Sequence, residues 1–149
     1  MRRYAIFLLA LLGSLSRMDG QEKDDPLQGK WTLAQIERGG KSPTPEQLQL
    51  KPYKVVIKGN TLRISDENDK GEGATFTRDQ SKKPNEIDLL FKEGPKEDIE
   101  RKAIGIYELD GDTLKLAWRK DGGPRPTEFT SIKGERTSEL LILKRAKVN

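Results

Sequence analysis

A chain of 149 residues has room for one domain, and with 35% charged and only 6% aromatic residues it suits a small fold with a strongly solvated exterior. Residues 1–20 hold Arg2, Arg3 and Arg17 against Asp19, so half of the net charge of +4 sits there; the near-neutral remainder has no electrostatic reason to seek polyanions. With no cysteine and no histidine, disulfides, thiolate nucleophiles, lipoprotein anchors, Ser-His-Asp triads and His-based zinc chemistry are excluded.

Arg2 and Arg3 precede an apolar run from Ala5 to Leu15, and a polar stretch follows from Ser16. That run is too short for a ~30 Å hydrocarbon layer, which takes about 20 residues, but it fits the core of an export signal. The expectation is a signal peptide over 1–20, a polar segment over 21–26 and a β-barrel domain over 27–149. Cleavage before Arg17 and cleavage before Gln21 both remain open, since no A-x-A site stands here. The mature chain is then exported, to periplasm, envelope or medium, with no stable membrane anchor.

From Gly29 onward, short alternating apolar segments are punctuated by Gly, Asn, Asp and Pro. Strands are predicted over Lys30–Arg38, Tyr53–Lys58, Thr61–Ser65, Gly73–Arg78, Glu86–Phe91, Lys102–Leu109, Thr113–Trp118 and Glu139–Arg145. Thr127–Ser131 reads as a short edge piece or an extended loop. Thr44-Pro45-Glu46-Gln47 carries a capping box with proline at the first helical position, so one or two helical turns are expected after the first strand.

Two turns fix which residues share a face. Asp110-Gly111 places Gly105, Tyr107, Leu109, Leu114, Leu116 and Trp118 together, whether the loop has two or four residues, because both registers have the same parity. A turn at Gly59-Asn60 does the same for Tyr53, Val55, Ile57, Leu62 and Ile64. The opposite faces are mostly charged, as in a sheet with one wet side. The fold class expected is all-β: an eight-stranded, antiparallel, up-and-down barrel with one short helix.

Several segments resemble a domain of uncharacterised planctomycete proteins with a lipocalin-like barrel. They are Leu27-Gln28-Gly29-Lys30-Trp31 with its Gly-x-Trp pattern, Ser81-Lys82-Lys83-Pro84 with Ile87-Asp88-Leu89, the stretch Gly105–Leu116 around Asp110-Gly111-Asp112, Arg125–Phe129, and Leu140–Arg145. The resemblance spans about Leu27 to Arg145 and departs from the family where Ala117 stands in a strand that often carries cysteine. It implies an exported lipocalin-like barrel of unassigned activity. It also implies structural roles at the closed end for Gly29, for Trp31, and for a basic residue of the last strand, Arg145 or Lys144, laid over the indole.

Other motifs weigh toward plain readings. Asp66–Gly71 starts like a calcium loop, but Thr77 stands where the twelfth-position glutamate belongs and Lys70 where a ligand belongs; it reads as a solvated turn, and no metal is expected. The carboxylates at Asp110, Asp112, Glu97, Asp98 and Glu100 fall in turns or charged runs and read as surface. Basic pairs such as Lys82-Lys83 and Arg119-Lys120 are interleaved with acids and lack exposed aromatics, so no nucleic-acid partner is expected. Gln35 and Glu37 share the parity of Trp31 and Leu33. Either they face the interior as ligand hydrogen-bonding groups, or the strand bends outward after Leu33 and both are wet.

The function expected is a non-catalytic exported module without cofactor, holding a small apolar or amphipathic molecule inside the barrel. Its expected contacts are Gln35, Glu37, Tyr53, Phe91, Gly105, Tyr107, Leu116 and Trp118. The alternative is a filled barrel serving protein interaction or envelope structure, and cavity volume separates the two.

Overall fold

The computed structural model describes residues 25–147; the expected signal peptide over 1–20, and the polar segment after it as far as residue 24, lie outside that range. Eight antiparallel strands close on themselves in sequence order: β1 (Gly29–Arg38), β2 (Lys54–Lys58), β3 (Thr61–Ser65), β4 (Gly71–Asp79), β5 (Asn85–Glu93), β6 (Lys102–Asp110), β7 (Thr113–Arg119) and β8 (Ser138–Arg145). Among the described residues one short helix, α1 (Pro45–Leu50), follows β1. This is the lipocalin-like up-and-down barrel expected, with every strand end within two residues of its predicted position. Thr127–Ser131 forms no strand.

The turn chemistry acts as read. Gly111 takes φ +57°, and β6 pairs with β7 through Leu109 and Leu114. Gly59 takes φ +59°, and β2 pairs with β3 through Ile57 and Leu62. At α1, Thr44 Oγ accepts from the Gln47 N–H while the Gln47 side chain accepts from the Thr44 N–H.

One end of the barrel is closed. The chain before β1 crosses it, burying Leu27, and the Gln28 side chain clips both polar backbone atoms of Gly59. Asp25 accepts from Arg78 at 2.6 Å. Trp31 is fully buried at this end, its indole N–H donating to the Leu27 carbonyl at 2.9 Å. The Arg145 guanidinium lies 4.3 Å from the Trp31 ring centroid and donates to the Pro26 and Gln28 carbonyls. Lys144 points away, to Thr113.

The interior above Trp31 is occupied by one apolar cluster. Val55, Ile87, Leu89, Phe91, Leu114, Leu116, Trp118 and Leu143 are all buried, with Phe91 and Trp118 edge to face at 6.3 Å. The outer surface departs from the expected wet face at one place. Ile106, Ala117 and Leu140 point outward from β6, β7 and β8 and form a second apolar cluster under Phe129 and Ile142. The β7–β8 connection covers it, held by Arg119 to Asp121 and Glu135 and by Arg125, which donates to the Ile87 and Gly105 carbonyls and to Asp88.

Candidate functional site

At the end opposite Trp31 the barrel opens into a cavity of about 670 Å³. Two bulges shape it. In β1, Leu33 pairs with Leu143 and Gln35 with Ile142, so Ala34 is an extra residue. In β5, Glu93 pairs with Gly73 and Phe91 with Ala74, so Lys92 is extra. A bulge adds one residue to one strand, which reverses the side-chain parity beyond it and bends the strand.

The β1 bulge decides between the two readings of Gln35 and Glu37. Both face out of the barrel. Gln35 is exposed, and the Glu37 carboxylate accepts from the Ser131 hydroxyl at 2.7 Å, the Ser131 N–H and the Thr130 hydroxyl. Those donors, the Ser131 hydroxyl foremost, hold Glu37 below its ordinary range. Glu37 therefore anchors the β7–β8 connection. The outward reading holds, and Ile36 and Arg38 take the inward places and line the cavity.

The apolar wall is Leu33, Ile36, Tyr53, Ile64 and Leu141, with Leu48 of α1 reaching over from the side. The helix buries none of its residues, and Leu50 is 79% exposed. Polar groups stand beneath the opening and around it. Glu139 is only 4% exposed, yet both its oxygens are used: Oε1 accepts from Arg38 at 2.7 Å and Oε2 from the Trp118 indole N–H at 2.9 Å. Lys120 is also buried, its ammonium 3.4 Å from Glu72, 3.3 Å from Asp98 and 4.2 Å above the Phe91 ring. Buried charges persist only when paired in this way. Lys41, Lys51, Lys70 and Asp66 complete the rim. Asp66 Oδ1 accepts from the Asn68 and Lys70 N–H groups, as in a self-contained turn.

Of the residues expected to contact a ligand, only Tyr53 lines this cavity. Phe91, Gly105, Tyr107, Leu116 and Trp118 do face the interior, but in its packed part. Gly105 leaves no space, because a Cβ there would meet the Ala117 carbonyl and stand 2.9 Å from the Trp118 Cβ. The neighbouring strand β7 occupies that place. Tyr107 is buried with its hydroxyl unpartnered among the described residues. Two functional groups, Lys120 and Glu139, are absent from the expected contacts although strand parity places both inward. Lys120 continues the inward series Leu114, Leu116, Trp118, and Glu139 begins the series Leu141, Leu143. Asp98, read as surface, is half-buried beneath Lys120.

The chain matches no protein-family model, no curated protein and no solved structure.

Proposed function

We propose that this barrel is an exported, non-catalytic binding module whose open end takes a small amphipathic molecule. The observation that carries the reading is the cavity. At about 670 Å³ it falls inside the ~300–1,000 Å³ span of small-molecule sites, and it has their usual make-up, an apolar wall with a few polar groups at the edge. The site lies one layer above the contacts expected from the sequence, over the packed core rather than within it. The buried carboxylate and ammonium beneath the opening already have partners, which fits a rigid floor for binding better than a reactive pair. Export rests on the basic, apolar, polar order of the first twenty or so residues.

The test is a thermal-shift series with medium-chain alcohols and acids on the protein and on Ile36→Trp, which fills the cavity. A ligand at a hundredfold excess over its Kd should stabilise the wild type by about 2.7 kcal/mol. The variant should lose that shift. Equal shifts in both proteins, or none in the wild type, would sink the reading.

The alternative, an interaction module, draws support from a groove of about 350 Å³ on the outer face of β4, β5 and β6 beside Leu90 and Ile104. An oligomer in sedimentation that a Leu90→Lys change dissociates would favour it.

A further inference from the structure

The cavity carries a charge that the barrel does not neutralise. Four cationic side chains reach it, Arg38, Lys41, Lys51 and Lys70, against three carboxylates, Asp66, Glu72 and Glu139. The carboxylates are engaged from within the protein: Glu139 by Arg38 and Trp118, Glu72 by Lys120, and Asp66 by two backbone N–H groups. Lys120 and Asp98, just below, offset each other. Among the described residues no carboxylate lies in ion-pair reach of Lys41, Lys51 or Lys70, and Arg38 is committed to Glu139. The cavity is left with one surplus positive charge, carried on flexible stems around an apolar wall.

Three separate pieces of chain bring these lysines to one rim. Lys41 follows β1, Lys51 follows α1, and Lys70 ends the β3–β4 turn. An ammonium on a four-carbon stem is a mobile point charge suited to a headgroup that sits loosely at a water boundary. Field lines from such a rim are focused by the low-dielectric wall beneath it.

We propose that the ligand of this cavity is an amphiphilic monoanion, its tail against Leu33, Ile36, Leu48 and Ile64 and its headgroup among Lys41, Lys51 and Lys70. This deepens the binding reading above and rests on it. A second negative charge would exceed the surplus, and a cation would meet the lysines with like charge.

The experiment is calorimetric titration at neutral pH with three probes sharing a ten-carbon tail: sodium decanoate, 1-decanol and decyltrimethylammonium. Each is used below its aggregation limit, at low and at high salt. Decanoate should bind most tightly and lose affinity with salt. Replacing all three lysines (Lys41→Gln, Lys51→Gln, Lys70→Gln) should weaken decanoate about tenfold, the combined effect of three partly exposed charge contacts. Decanol binding should be unchanged by it. The reversed-charge pair Lys41→Glu and Lys51→Glu should favour decyltrimethylammonium over decanoate, which guards against a variant that binds nothing because it has unfolded. If decanol and decanoate bind alike and the lysine variants change neither, the monoanion inference fails while the cavity reading stands. If the cation binds best to the wild type, the inference fails as well. If none of the three probes binds, the cavity reading fails and takes the inference with it.

Discussion

The guanidinium of Arg145 lies 4.3 Å over the ring of Trp31, joining the last strand to the first across the barrel's closed end. The same guanidinium donates to two backbone carbonyls in the segment before β1. Trp31→Ala should cost about 3–5 kcal/mol, the usual range for a fully buried large aromatic. Arg145→Ala should cost less, because the side chain is partly exposed. Urea melts of both single variants and the double variant should give a coupling of about 0.5 kcal/mol or more. Additive losses would mean that the stacked pair contributes nothing beyond its separate contacts.

Within the packed core, two changes of one small group each should act in opposite directions. Gly105→Ala drives a methyl group against the Ala117 carbonyl and Trp118 Cβ and should cost about 1–3 kcal/mol. Tyr107→Phe removes a buried hydroxyl that has no partner among the described residues, and should be neutral or stabilising by about 1 kcal/mol. Denaturant midpoints decide both. A stable Gly105→Ala would show that the interior has room beside Trp118 after all.

Arg38 and Glu139 form a pair of unequal burial, with side chains 52% and 5% exposed. Arg38→Ala leaves a buried carboxylate with only the Trp118 N–H for company, so it should cost about 3 kcal/mol. Glu139→Gln removes the buried charge, keeps an acceptor for the indole and frees an arginine that can reach water. It should cost less, about 1 kcal/mol. The reverse order would place the energetic weight on the arginine's own packing.

Acid should loosen the β7–β8 connection before it unfolds the barrel. Glu37 is held below its ordinary range by Ser131 and Thr130, and Asp121 well below by Arg119, the Gly123 N–H and Thr137. A carboxyl group depressed in the folded state binds fewer protons there than in the unfolded chain. Its contribution is complete above the unfolded value, near pH 4, and is lost as pH falls through the folded one. With no histidine in the chain, stability should be flat between about pH 6 and 8 and decline below about pH 4.5. Hydrogen exchange in residues 127–132 should quicken first, and Glu37→Gln should bring that opening about at neutral pH. Uniform exchange across the barrel on acidification would contradict this.

Export predicts a mass. Protein recovered from its native host should lack roughly the first 16 to 20 residues, as set by the short apolar run and the polar stretch after it. A full-length mass would remove the signal peptide from the account.

Strand positions, hairpin registers and the helical cap were legible because each rests on local chemistry, such as glycine at positive φ in the Gly59 and Gly111 turns or the reciprocal bonds of Thr44 and Gln47. The cavity was less legible, for one physical reason. Alternation along β1 runs correctly through Trp31 and Leu33, and then Ala34 bulges, so that Ile36 and Arg38 take the inward places. No residue near Ala34 marks that slip; it arises from pairing with β8, more than a hundred residues away in the chain. Gly105 misled in the same way. A missing side chain signals room only until the neighbouring strand's register is known, and here that register sets Trp118 opposite. Simple parity places Lys120 and Glu139 inward, but charged side chains are rarely buried unless paired, and the partners that allow it here come from distant strands and loops.

Seven of the eight strand pairings join neighbours in sequence, and the pairing of β1 with β8 alone spans the domain. During folding, hairpins can therefore form quickly and in any order, while ring closure waits on one long-range encounter that carries the largest single loop-closure cost. Until that encounter, β1 and β8 are open sheet edges, β8 rich in Leu and Ile, the kind that recruit other chains. The Arg145 clamp on the segment before β1, with donor and acceptor residues 119 positions apart, thus does its work as a latch at the seam. A variant that weakens it should aggregate during refolding at protein concentrations the wild type tolerates, even where the native barrel, once shut, melts at nearly the same temperature.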